Sequence, residues 1–336
     1  MKPANIGDLV QSTMLRRDTA RIKGDLGRLT GEMSSGKIAS LNTSLRGQFG
    51  PLAGLTRSLA LTDATLASNA AAARLAEGQQ LALEAVQGTA TAAGPDFLEV
   101  ASNGNDVQRK VLAQKAMGQF EQTLAALNTQ IEGKAIFAGA ALDGPALADA
   151  GTILASLEDA LAGTVGPADA IAAVKDWFDA PGGGFDTVAY QGAATPMSGL
   201  AMAPGELVQL DITAADPALR DTLRGLALGA LLDRGLFDGD VAAQGAVIQH
   251  AGETLVAAAD TVTTRRAGLG AIEERIEAAR IRTEAETTGL TMARSALVEA
   301  DPYDTALRLQ EVQVQLETIY ALTARMSNLS LAMVLR

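Results

Sequence analysis

Few residues in this chain have the type and spacing for chemistry. Gly31-Glu32-Met33-Ser34-Ser35-Gly36-Lys37 fits the GxxxxGK pattern of a phosphate-binding loop. A working loop needs Ser or Thr next, to hold magnesium, and a strand before it. Here Ile38 follows, and the preceding residues read as helix, so nucleotide binding is not expected. The single histidine, His250, has no second imidazole nearby in sequence and lies in a helical pattern, which suits packing better than proton transfer. Glu299, Asp301 and Asp304 could crowd around a cation, yet Asp301 before Pro302 is explained more simply as a helix cap. Asn42-Thr43-Ser44 and Asn328-Leu329-Ser330 fit the N-glycosylation pattern, which is common by chance. With no cysteine, disulfides, zinc–thiolate sites and thiol catalysis are excluded. No catalytic, cofactor-binding or metal site is expected, and the chain does not read as an enzyme.

The elements that would carry such residues are more informative. From Asp301 to the end there is no glycine and no proline after Pro302. Leu309, Val312, Leu316, Ile319, Thr323, Met326, Ser330 and Met333 alternate at threes and fours, a heptad seam. Leu15, Thr19, Ile22, Leu26, Leu29 and Met33 repeat that spacing near the N-terminus, ending at the helix-stop glycine Gly36. Stripes of this kind need partners, in the same chain or in another copy.

Between these ends lie further helices, expected at about 53–92, 106–133 and 240–299, the third placing Ile272, Ile276 and Ile281 on one face with Leu255 and Val262. The span 139–240 differs. It holds six of the ten prolines and five of the eleven aromatics. Its fifteen acids against four bases account for most of the chain's formal charge of −12. There 206–213 alternates as a half-buried strand and 185–190 reads as another, while 154–161, 168–178 and 216–233 read as helices. Trp177, Phe178 and Tyr190 are its expected core. The acidic middle argues against nucleic-acid binding. No apolar run reaches the ~18–20 residues of a membrane span, and the N-terminus lacks the apolar stretch of a signal peptide.

Three groups of residues, in order, resemble the bacterial flagellin superfamily. Leu29 with Met33-Ser34-Ser35-Gly36-Lys37 is similar to the element after its first helix. Leu127-Asn128-Thr129-Gln130, Gly133-Lys134 and Ile136-Phe137-Ala138-Gly139 are similar to its Asn-Thr…Phe-Ala-Gly junction. Leu307, Gln310, Gln313, Leu316, Tyr320, Ala324, Ser327 and Leu329-Ser330-Leu331 resemble its carboxyl terminus. The resemblance covers roughly 1–140 and 240–336.

Within the superfamily the residues favour the hook–filament junction class over flagellin itself. Ile6-Gly7-Asp8-Leu9 stands where flagellins carry Ile-Asn-Thr-Asn, and Val107–Gln114 replaces their Arg-rich patch. Tyr190-Gln191-Gly192, Pro204-Gly205-Glu206 and Asp216–Arg220 resemble the variable domain of junction proteins. Ala39-Ser40-Leu41-Asn42 departs from the family and leaves the loop after the first helix unassigned.

The resemblance implies a mainly α fold: a long-helix rod with paired terminal coiled-coil helices and a small inserted α+β domain. The expected division is 1–45 with 300–336 as the terminal coiled coil, 46–138 with 241–299 as the rod, and 139–240 as the insertion. Removing 141–238 is expected to leave the flanks folded. The implied function is a structural adaptor joining hook to filament, outside the cell, exported by the flagellar type III apparatus without cleavage. Its implied partners are itself, flagellin, the adjoining hook-associated protein and an export chaperone. The expected assembly interface is Leu15, Ile22, Leu26, Leu29, Met33, Leu309, Val312, Leu316, Ile319, Tyr320, Met326, Leu329 and Leu331. The alternatives are a flagellin or, from a different class, a soluble helical signalling protein or enzyme.

Overall fold

Long amphipathic stretches bounded by good caps give long helices, and the computed structural model is mainly α. It describes residues 6–203 and 205–334; the side chains of 6–9, 11 and 327–334 lie outside that description. In chain order it has α1 (Ile6–Ser35), α2 (Leu41–Ser44), α3 (Gly50–Asn103), α4 (Asp106–Leu127), β1 (Gln130–Ile131) and β2 (Lys134–Ala135). Then come α5 (Ala150–Leu161), α6 (Pro167–Asp179), a π-helical turn (Phe185–Ala189), β3 (Leu200–Ala203), β4 (Glu206–Val208), α7 (Pro217–Asp233), α8 (Val241–Val298) and α9 (Pro302–Val334). The residues group into two units, 1–62 with 285–336 and 63–284.

In the unit 63–284, α3 and α8 pair antiparallel. Gln87 Nε2 donates to Thr263 Oγ1 at 2.7 Å and Arg266 Nη2 to Glu84 Oε2 at 3.0 Å. Every seventh residue of α3 from Asn69 through Ala76, Leu83, Ala90 to Phe97 is fully buried. Its counterpart on α8 runs Ile248, Leu255, Val262, Leu269 and Ile276. Ile281, expected on that face, is exposed instead, because five residues beyond Ile276 turns it to the far side of the helix. Asn69 is buried with neither amide atom bonded, a polar residue in an otherwise apolar seam.

Helix α3 continues past its expected end at 92 and carries Pro95 inside it. Proline there removes one ladder bond. Tertiary burial of Phe97, with no exposed surface, outweighs that cost. Gly94 allows the close approach, since a Cβ there would meet Val256 Cγ2 at 2.8 Å.

Helix α7 is buried over most of its surface, with Arg220, Asp221 and Arg224 half-buried near its start. It packs on α4 and into the α3–α8 core. A Cβ on Gly229 would lie 2.6 Å from both Ala116 Cβ and Phe97 Cζ, and one on Gly225 would lie 2.7 Å from Leu255 Cγ. Its start is the one read from the sequence: Asp216 Oδ1 accepts from Ala218 N at 3.0 Å, with Pro217 next.

Helix α4 opens with a capping box between Asn105 and Gln108. It stops at Leu127, short of the expected 133, because Gln130–Ala135 folds into a hairpin. The two turn residues have positive φ, Glu132 at 53° and Gly133 at 76°, the primed turn that matches strand twist. The Asn-Thr…Phe-Ala-Gly segment then gains a physical meaning. Asn128 Nδ2 donates to Leu147 O at 2.9 Å and Asn128 Oδ1 accepts from Leu147 N at 2.8 Å. The side chain pairs with main chain as a strand would. Phe137 and Ala138 are fully buried. At Gly139 (φ +61°) a Cβ would lie 2.5 Å from Thr195 O, so only glycine fits. Replacing Asn128 by alanine leaves both buried Leu147 groups unpaired. We expect a loss of about 1–3 kcal/mol, read as a lower urea midpoint with unchanged slope.

In the segment between, α5, α6 and the π-helical turn enclose Trp177, Phe178 and Phe185. The Trp177 and Phe178 rings meet edge-on at 4.8 Å, and the Arg220 guanidinium lies 4.7 Å from the Phe185 centroid. Tyr190 packs on this core half-buried, donating through its hydroxyl to Ala193 O at 2.9 Å. Of Phe185–Tyr190, expected as a strand, Phe185–Ala189 is the π-helical turn and only Tyr190 is extended, bridging Leu147. Stacking of Phe185 beneath Arg220 and beside Trp177 holds the turn there. Of the expected strand 206–213 only Glu206–Val208 pairs, with Leu200–Ala203. Beyond it, Ile212 O serves Gln79 Nε2 at 3.1 Å rather than a ladder.

Candidate assembly interface

In the unit 1–62 with 285–336, α1 and α9 run antiparallel: Lys37 bridges Glu299 at one end, and Lys23 Nζ lies 5.7 Å from the Tyr320 centroid further along. The two seams read from the sequence face each other. Ile22 and Leu29 are buried, at 5% and 2% exposure. Leu15, Leu26, Leu309, Val312, Leu316, Ile319 and Met326 are half-buried. Met33 and Tyr320 are exposed, Met33 because α1 ends two residues later. Leu329 and Leu331 lie outside the described residues as far as their side chains go. Much of each stripe therefore keeps open surface after pairing.

The turn after α1 is fixed by a residue the sequence reading passed over. Glu32 is buried on the seam side. Its carboxylate accepts from Arg28 Nη1 at 3.1 Å and from Ala39 N at 3.0 Å. Gly36, at φ +66°, reverses the chain. Ile38 N then donates to Val298 O at 2.9 Å, and Ala300 N to Gly36 O at 3.0 Å. Glu32 sits three residues from Leu29 on the same face, so its heptad position, with Arg28 beside it, was the available signal. The unassigned loop that follows includes α2, a single turn.

This corner also tests the chemical patterns. Gly31–Lys37 is the last turn of α1 and its stop, with Ser35 Oγ donating to Gly31 O at 2.7 Å. No strand precedes it, and its amides serve the helix. Asp301 Oδ1 accepts from Tyr303 N and Asp304 N at 2.8 and 3.2 Å, as a cap. Asp304 pairs with Arg308 at 2.9 Å. Beside them lies an open cleft of about 690 Å³, whose arginines, Arg28 and Arg308, are both engaged by acids of the same wall. Among the described residues no three metal-binding side chains converge.

His250 is half-buried on α8. Burial, and then the charge of Arg224, push its imidazole below the usual histidine value. Those surroundings disfavour the protonated ring, so its place is in packing. No described helix is long and apolar enough to cross a membrane.

A second stripe on α9 was also missed. Tyr303, Leu307 and Val314 are 74%, 50% and 56% exposed. With Ala321 they recur at fours and sevens, on the side of the helix away from Leu309, Val312, Leu316 and Ile319. On α1, Val10 and Met14 are likewise exposed, at 48% and 60%.

With this geometry in place, comparison with known proteins is informative. No curated protein sequence matches the chain significantly. FlgL of Bacillus cereus is similar in structure, with a TM-score of 0.50 and 14% identity, over 70% of this chain and 96% of that one. A putative flagellar hook-associated protein from Vibrio parahaemolyticus has a TM-score of 0.42 and 16% identity, over 71% and 95%. The first of these shows a shared fold. The bacterial flagellin C-terminal helical region matches residues 253–335, a span that holds most of α8 and all of α9. Of the three groups of residues that resemble the flagellin superfamily, the carboxyl-terminal one falls within this match: over 253–335 the chain is similar to the C-terminal helical region of bacterial flagellin.

Proposed function

We propose that the chain is a structural subunit of the bacterial flagellum that joins hook to filament. One observation carries this reading. The helix matched to the flagellin C-terminal region is paired with the N-terminal helix, and the pair leaves apolar surface open on both members. Such a pair is built for packing against neighbours. The work of the subunit is mechanical, through buried area, with no catalytic role.

The junction assignment rests on the departures from flagellin at Ile6–Leu9 and Val107–Gln114, with support from the fold shared with FlgL. The partners we propose are further copies of the chain, flagellin, the adjoining hook-associated protein and an export chaperone. Its location would be extracellular, after uncleaved export through the flagellar type III apparatus. We retain 1–45 with 300–336, 46–138 with 241–299, and 139–240 as the proposed functional divisions. The family match to flagellin itself favours a second reading, a filament subunit.

The test is loss of the gene. Cells are expected to build hooks and release flagellin into the medium while carrying no filaments. Normal filaments in its absence would refute the junction role. Micrometre-long tubes formed by the purified chain alone would establish the filament subunit instead.

A further inference from the structure

We infer that Asn69 is a built-in opening point: at its Asn69–Thr283 end the α3–α8 pair of the unit 63–284 parts and recloses, while the rest of the pair stays shut. The inference is independent of the adaptor role proposed above.

Three observations meet there. The first is Asn69 itself. It has no exposed surface, and among the described residues neither its amide oxygen nor its amide nitrogen has a hydrogen-bond partner. Burial strips water from a donor and an acceptor and puts nothing in its place. Parting the helices gives water back to both. Gln79, the next buried amide along α3, is unlike it. Its nitrogen donates to Ile136 O at 2.7 Å and to Ile212 O at 3.1 Å, and only its oxygen is unpaired.

The second is the core around it. From 63 to 71 Asn69 is the one buried residue of α3, and Leu66 keeps part of its surface open. Further along, the same helix buries Leu75, Leu83, Val86 and Phe97. On α8 the last buried positions are Ile276, Ala279 and Thr283, and the Thr283 hydroxyl donates to Ala279 O at 2.9 Å. The register of Glu84 with Arg266 and of Gln87 with Thr263 carries Asn69 to the level of Ile281. That side chain is 54% exposed. Closing this end therefore buries little apolar surface, and little is lost when it opens. A segment with few buried apolar contacts opens below the global stability of its fold.

The third is what clasps the end. Arg282 Nη2 lies 3.2 Å from Glu206 Oε2 of β4, with 65% and 35% of the two side chains exposed. An ion pair so exposed holds weakly and is screened by salt. A buried polar residue in a helical seam costs stability, and its best-attested uses are to set register or to serve a switch. Register here is already set by Phe97 and by the close approach of Gly94 to Val256. The remaining use is the switch, an end that yields while the core holds.

The unaltered full-length chain gives the first test. In hydrogen exchange, amides of 64–72 and 277–284 are expected to exchange ~10-fold or more faster than those of 83–97, with a weaker dependence on urea. Equal rates, or the same urea dependence, overturn the inference. The chain has no cysteine, so single buried thiols report without background. Ala72→Cys and Ala90→Cys each replace a residue with no exposed surface. In the native protein the thiol at 72 is expected to react with a water-soluble thiol reagent ~10-fold or more faster than the thiol at 90. Adding Asn69→Leu is expected to slow the reaction at 72 by ~10-fold, because the closed state then buries no unpaired amide, and to leave the rate at 90 unchanged. A rate at 72 that Asn69→Leu leaves unchanged or raises overturns the inference, and assigns Asn69 an internal water as its partner instead.

Discussion

Removing 141–238 and joining the flanking helices is expected to abolish cooperative unfolding of the unit 63–284. The segment includes α7, whose Leu219, Leu223, Leu226, Leu228 and Leu231 are at most 1% exposed. At about 1.5–3 kcal/mol for each fully buried leucine, their loss is comparable with the ~5–15 kcal/mol that holds a typical domain together. The deletion also uncovers the partners of α7, Ala116, Phe97 and Leu255. Circular dichroism should show helix that melts gradually, with strong binding of a hydrophobic dye. A sharp melt with native helicity would mean that α4 and α8 close over the gap. From the sequence alone the opposite outcome was expected. Prolines, acidity and aromatics mark 139–240 as different, and they change near both of its ends. None of those signals reports how much of α7 is buried, and most of it is.

The second large effect concerns the terminal pair. Ile22→Asp together with Leu29→Asp is expected to separate α1 from α9 in the isolated subunit. Each new carboxylate would sit unpaired in the seam or take up a proton, costing several kcal/mol together. Limited proteolysis should then release 1–35 while the unit 63–284 keeps its melting temperature, and cells carrying the variant should lack filaments. Leu316→Asp with Ile319→Asp tests something different, since both residues keep part of their surface open. That pair should disturb assembly more than the folded subunit. If Ile22→Asp with Leu29→Asp leaves the termini as resistant as before, the seam does not hold the pair.

The parts of the fold that were legible in the sequence are those set by local chemistry. Asn105, Asp216 and Asp301 each begin a helix where a capping residue precedes a helical run, and each accepts from the backbone as a cap must. The seams at Leu15–Met33 and Leu309–Met326 were legible because period is written in spacing. What was hidden depends on distant residues. Helix α3 runs through Pro95 because Phe97 has a place in the core. Phe185–Ala189 coils as a π-helical turn because Trp177 and Arg220 surround Phe185. The second stripe of α9 escaped because Gln310, Glu311 and Glu317 interrupt it, and a search for one unbroken seam discards it. Glu32 escaped because part of its support, Ala39 N, comes from seven residues on, across a turn that helical spacing does not report.

The grip of Asn128 on Leu147 has a consequence for descent. An amide that pairs with main chain makes no demand on the side chain at the position it holds. The exposed residues after Leu147 can therefore drift without loosening the point where the segment leaves the helices. Gly139 adds the opposite constraint at the same root, tolerating no replacement. A lineage could exchange much of 150–190 for another segment, as one grafts a scion, provided the asparagine, the glycine and α7 stayed with the stock.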